Sequence, residues 1–268
     1  MTNPGELNWV FILLAVAGGF LPTIFWLWFW LQEDHKKPEP LRLIMKTFII
    51  GGFFIAIAFI LEKFTAPSGD LVGQILDVYK NGFALWPLLI ISIPLIAWAF
   101  IEELVKYLAA YVAALKNKQC DEPIDMMVYM ITAALGFSAV ENFLFLLNVL
   151  MTDGSSSSSF LFTGNLRFLG ATLLHTVTSA VFGAFLSFAF YRNKWIKKFS
   201  WLLGLIVSSA LHVFFNFFII VNEGGNVLRV LIGLWAAAMI IIFIFEVVKR
   251  LHYGKIITSP INQSPYVQ

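Results

Sequence analysis

Long apolar runs dominate the chain. Uninterrupted stretches occupy Trp9–Leu31, Leu41–Leu61, Ile124–Leu150, Phe160–Tyr191, Phe199–Val221 and Val227–Val248. A further run from Leu85 to Leu115 is interrupted by Pro94, Glu102, Glu103 and Lys106. Each run reaches the about 20 residues that a helix needs to cross a bilayer. Only helices and closed barrels satisfy their backbone in lipid, and the strict alternation of a barrel strand is missing. The pattern therefore predicts an all-α polytopic membrane bundle of about seven transmembrane helices. After the second run, apolar residues at 71, 72, 75, 76, 79 and 83 share one helical face. That spacing predicts a short amphipathic helix over residues 71–83, lying on the outer surface. Asp153, Gly154 and Ser155–Ser159 read as a flexible polar tether, and Thr258–Gln268 as a disordered tail.

Lys and Arg set the orientation. They crowd into alternate connections: Lys36, Lys37, Arg42 and Lys46, then Lys116 and Lys118, then Arg192, Lys194, Lys197 and Lys198, then Lys249, Arg250 and Lys255. The intervening connections are poor in them. Positive loops stay in the cytoplasm, so the prediction is N-terminus out and C-terminus in. The first eight residues carry Glu6 and no Lys or Arg, so the first run reads as a permanent crossing and not a cleaved signal. Trp26, Trp28 and Trp30 near one end of it read as an interfacial belt.

Composition narrows the class further. The 268 residues are 59% hydrophobic and 13% charged, where a soluble domain runs near 45–50% and about 25%. That excludes a soluble globular protein, a disordered chain and a nucleic-acid binder of the basic-patch kind. The net charge of +2 implies no strongly charged partner. A single cysteine, Cys120, rules out an internal disulfide and Cys-rich metal sites. The chain reads as one membrane domain, residues 1–268, with its chemistry between about residues 85 and 221.

Against this background several residues stand out by their cost. An ionisable side chain near the bilayer centre costs about 2.5–3.5 kcal/mol on insertion scales and is by default functional. Glu102, Glu103 and Lys106 lie in the third run, Glu141 in the fourth, His175 in the fifth and His212 in the sixth, with Arg167 near the outer end of the fifth. Counted from the helix ends, Glu102, Glu141, His175 and His212 fall at one broad level, at or slightly outside mid-membrane. Glu102 and Lys106 share a helix face at a spacing of four, as do His212 and Asn216. Gly136–Ala139 before Glu141 and Asn142, and the small residues around His175, permit close helix approach. Three carboxylates against Lys106 and Arg167 leave one negative charge. A raised carboxylate pKa, a protonated His or a bound metal each balances it. A Glu poised near neutrality suits a water-activating base. Two His and one Glu, here His175, His212 and Glu141, also form a catalytic zinc set. The H-E-x-x-H pattern is absent.

In this order the motifs resemble the PrsW family of intramembrane proteases, within a wider group that includes the CAAX-processing and bacteriocin-processing membrane proteases. They are E-E-L-V-K at Glu102–Lys106, G-F-S-A-V-E-N at Gly136–Asn142, Arg167 with His175, and L-H-V-F-F-N at Leu211–Asn216. CAAX-type members carry Arg four residues after the second Glu, where this chain has Tyr107, and Phe four residues before the first His, where it has Ala171. The resemblance therefore favours PrsW over prenyl-protein processing. It implies hydrolysis of a peptide bond in or beside the bilayer, with Glu102 as the water-activating base and Glu103 as its partner, or the reverse. His175 and His212 would hold the water or a divalent metal such as Zn2+. Asn216 would orient His212 or donate to the oxyanion. Glu141 and Asn142 would complete the site, and Lys106 and Arg167 would balance charge. The implied partner is a membrane protein substrate such as a single-span anti-sigma factor, in a bacterial plasma membrane. Two rivals stand beside this: a non-catalytic scaffold with a protease-like fold, and an ion-coupled transporter, against which the lack of an internal repeat counts.

Overall fold

The computed structural model describes residues 9–34, 37–67, 69–81, 85–152, 170–221 and 227–258. The leader before Trp9, the polar tether, Arg167 and residues 259–268 of the tail lie outside the described residues. Among those described, nine α-helices form the fold: α1 (Trp9–Leu31), α2 (Leu41–Lys63), α3 (Leu71–Lys80), α4 (Leu85–Ile91), α5 (Ile93–Ala110), α6 (Pro123–Thr152), α7 (Thr172–Phe188), α8 (Lys194–Val221) and α9 (Val227–Thr258).

Five of these, α1, α2, α6, α8 and α9, have the length and hydropathy of membrane spans. The other two crossings are α4 with α5, and α7. α5 carries Glu102, Glu103 and Lys106, while α7 is an apolar helix of 17 residues. The third crossing is broken at Ser92, whose backbone accepts from Ile96. Pro94 stands at the start of α5, where its missing N–H is tolerated. Past Ala110 the chain widens into a π-turn at Tyr111–Leu115, and Lys46 donates to the Ala113 carbonyl (3.1 Å). α3 is the amphipathic helix read at 71–83. Asp70 caps it by accepting from the Gly73 amide at 3.0 Å, and Leu71 and Ile75 turn inward.

α6 is the hub, packing on α1, α2, α5, α7 and α9. Its approach to α2 is backbone against backbone. A Cβ on Gly136 would overlap the Phe48 carbonyl oxygen, and one on Gly51 would overlap that of Ala133. Gly136→Ala is therefore expected to destabilise the protein by about 1–3 kcal/mol through overpacking, measured as thermal unfolding in detergent. This contact fixes the helix that carries Glu141.

The ends assigned to the cytoplasm converge. Lys37 pairs with Asp121 (2.8 Å) and Glu122 (3.1 Å), Lys249 with Glu33 (2.7 Å), and the Tyr129 hydroxyl donates to Glu39. Trp26 and Trp30 are buried against α9, where Trp30 stacks on Phe245, and only Trp28 of the three is exposed. The tryptophans thus serve packing more than an interfacial belt. Burial, with Asp125, Glu39 and Asp121 nearby, pushes the Cys120 thiol up from its usual range. Less thiolate is then present at neutral pH. Iodoacetamide should modify Cys120 at pH 7.5 at least about tenfold more slowly than a free cysteine, which a mass-spectrometric time course would read.

Candidate active site

The costly charges meet. Glu102, Glu103 and Lys106 come from consecutive turns of α5, Glu141 from α6, His175 from α7 and His212 from α8. The small residues flanking Glu141 and His175 let these helices close on one another. Asn142 donates to the hydroxyls of Ser138 (3.3 Å) and Thr172 (2.9 Å), pinning α6 to α7 beside the cluster.

Glu103 is the buried centre. Its side chain is 0% exposed. Oε1 accepts from Lys106 Nζ (2.9 Å), Thr178 Oγ1 (2.9 Å) and His212 Nδ1 (2.9 Å), and Oε2 accepts from Ser179 Oγ (3.2 Å). Four donors on one carboxylate offset the cost of burying it.

Glu102 is placed differently. Its side chain keeps 15% of its surface exposed. Oε2 is buried and accepts no hydrogen bond from the described residues. Around it stand Lys106 Nζ at 3.3 Å, His175 Nδ1 at 3.6 Å and His212 Nε2 at 3.9 Å. An unsatisfied buried carboxylate oxygen facing two imidazoles is an open position in an otherwise saturated network.

Both histidines are braced from behind. His212 Nδ1 donates to Glu103, leaving Nε2 turned to Glu102. His175 Nε2 donates to Glu141 Oε2 at 2.8 Å, while Nδ1 accepts from Lys106 Nζ at 2.7 Å. These tautomers follow from the partners: a carboxylate only accepts and an ammonium only donates. The two rings meet edge to face, centroids 5.2 Å apart. Phe137 packs on His175 and lies under the Lys106 ammonium.

The donor set fits a divalent ion. Glu102, His175 and His212 each offer one ligand atom, all within 4.8 Å of one another. Two imidazoles and a carboxylate are a zinc-type set that leaves room for water, and carboxylate bracing of the ligating histidines is its usual support. The sequence reading groups Glu141 with the histidines. In the structure Glu102 stands in that place, and Glu141 binds the far nitrogen of His175. Among the described residues three carboxylates face one ammonium, a negative balance; Arg167 lies outside the described residues. Asn216 is half-buried, one turn beyond His212.

Three contributors escape the sequence reading. Thr178 and Ser179 read there as packing residues. Their spacing of three and four from His175 turns both hydroxyls to the same side, and they donate to Glu103. Glu62 ends α2 close enough to interact electrostatically with Glu102, Glu141 and Lys106. Beside Lys63 it looks like an ordinary polar helix end.

Known proteins resemble the chain over most of its length. The family described as PrsW family intramembrane metalloprotease matches residues 39–248. Protease PrsW of Geobacillus kaustophilus (strain HTA426) is 22% identical over 229 residues, covering 84% of this chain and 88% of its own length. Protease PrsW of Clostridioides difficile (strain 630) is 23% identical over 218 residues, covering 81% and 79% respectively. That of Bacillus subtilis (strain 168) is 23% identical over 211 residues, covering 75% and 81%. No solved structure matches the chain.

Proposed function

The chain belongs to the PrsW family of intramembrane metalloproteases, and from that premise we propose how its own residues cut a peptide bond. It is a multi-pass protease of the bacterial plasma membrane, acting on a membrane protein. The observation that carries the assignment of roles is the inequality of the adjacent glutamates. Glu103 is fully buried with both oxygens engaged, whereas Glu102 is partly open and keeps one oxygen free of hydrogen bonds.

Glu102 holds the nucleophilic water and acts as general base. It takes a proton as the water oxygen attacks the scissile carbonyl carbon, and the carbonyl π-electrons move onto oxygen. Negative charge on that oxygen is stabilised by donors preorganised at the site, the term that usually contributes most. Asn216, one turn beyond His212, is the donor we assign to this role. His212, fixed in tautomer and orientation by Glu103, presents an unprotonated Nε2 near Glu102, through which the proton that Glu102 took from water passes to the amine as the C–N bond breaks and the carbonyl re-forms. His175, held between Glu141 and Lys106, fixes the ammonium beside Glu102. Should Glu102, His175 and His212 hold an ion, it would supply Lewis-acid polarisation and a more acidic water. Glu102 then contributes as a ligand of the same water-bearing centre.

We read the partly exposed Glu102 and Glu141, near Glu62 at the end of α2 away from its basic start, as the open side of the site, facing the outer leaflet. A single-span regulator of the anti-sigma kind, cleaved near its outer membrane boundary, is the substrate class we propose. The test compares cells carrying the intact protein with cells carrying Glu102→Gln and Glu103→Gln together. New protein N-termini in or just outside a transmembrane segment, seen only with the intact protein, are expected. Identical N-termini from both strains, with equal amounts of folded protein, would overturn the assignment.

A further inference from the structure

Lys106 has a position that charge balance alone does not require. Its ammonium is 0% exposed, 2.9 Å from Glu103 Oε1, 3.3 Å from Glu102 Oε2 and 2.7 Å from His175 Nδ1. Two of these three atoms belong to residues that would ligate an ion. His175 has no other nitrogen to give, because Nε2 is tied to Glu141. An imidazole nitrogen carries one lone pair and cannot serve an ammonium and a metal together. A divalent ion at this centre must therefore take His175 Nδ1 from Lys106.

We propose that Lys106 is the built-in competitor for the metal position: it fills the cation place in the ion-free protein, must leave His175 for an ion to load, and so sets the metal affinity of the site. The inference rests on the reading that Glu102, His175 and His212 hold the ion. A lysine suits this part. Its charge is compact and its stem is flexible, so the ammonium can withdraw to Glu103 without leaving the cluster. Phe137 beneath it, 5.0 Å from ring centroid to ammonium, gives it an apolar, cation-tolerant wall.

Full-length protein in detergent is titrated with Co2+ and followed by its visible absorption, which reports coordination directly. Lys106→Met is expected to bind Co2+ at least tenfold more tightly than the unaltered protein. Lys106→Arg, which retains a cation there, should bind no more tightly than the unaltered protein. Lys106→Gln, which keeps a hydrogen-bond donor for Glu103, replaces the Met variant where that one fails to fold. Glu102→Gln introduced beside Lys106→Met should abolish the gain and locate the ion. Equal, tight binding by the unaltered protein and both neutral variants would overturn the competition while leaving the ion-holding reading intact. Absence of binding by every protein, the neutral variants included, would overturn both.

Discussion

Glu102→Gln is expected to lower peptide-bond cleavage by about 10²–10⁴-fold, the usual contribution of a positioned general base. The same change should leave Tm within a few degrees of the unaltered protein. Both parts follow from how Glu102 is held. Its Oε2 accepts no hydrogen bond from the described residues, so a neutral amide strands no buried donor. The site also carries more carboxylates than cations among the described residues, and removing one negative charge relieves that excess. A glutamine keeps the volume and cannot take a proton from water. The measurement pairs a cleavage assay on a membrane-embedded substrate with thermal unfolding in the same detergent. A large loss of stability would show that Glu102 belongs to the structural network instead of the open position.

Glu103→Gln should behave in the opposite way. Its carboxylate is the common acceptor for Lys106, His212, Thr178 and Ser179, and it is fully buried. Neutralising it leaves the Lys106 ammonium buried with a poorer partner and forces an amide N–H₂ among donors. Breaking one side of a buried ion pair costs about 3–5 kcal/mol, and a loss of that order is expected, with cleavage falling alongside. Removing both partners is milder than removing one. Glu103→Gln combined with Lys106→Met should recover more than half of the lost stability, a coupling that a double-mutant cycle isolates. A Tm drop for Glu103→Gln no larger than that of Glu102→Gln would contradict this division of labour.

The sequence carries much of this because misplaced charge is expensive in lipid. Glu102, Glu103, Lys106, His175 and His212 are visible as intramembrane ionisable residues before any packing is known, and the spacings of three and four from Lys106 correctly join it to both glutamates. Spacing along one helix says nothing about which neighbour it will face. That is why Glu141 and Glu102 exchange places beside the histidines, and why Thr178, Ser179 and Glu62 are seen only when α5, α2 and α7 come together. Helix lengths show the same limit. An apolar run marks where lipid begins, not where the helix does. α8 starts at Lys194, ahead of the run at Phe199, because Asn193 caps it through the Ile196 amide at 3.0 Å. The break at Ser92 has no hydropathy signature, although Pro94 close by hints at it.

The placement of Lys106 on the same helix as its two glutamates bears on how the protein is made. During synthesis α5 reaches the membrane well before the residues that complete its cluster. His175 lies 69 positions beyond Lys106, and His212 lies 109 beyond Glu103. For that interval the helix must partition into lipid with two carboxylates and no imidazole to meet them. A cation three and four residues downstream travels with them and halves the bare charge at the moment of insertion. A counter-charge on a later helix would balance the finished site equally well and arrive too late to help the newborn chain.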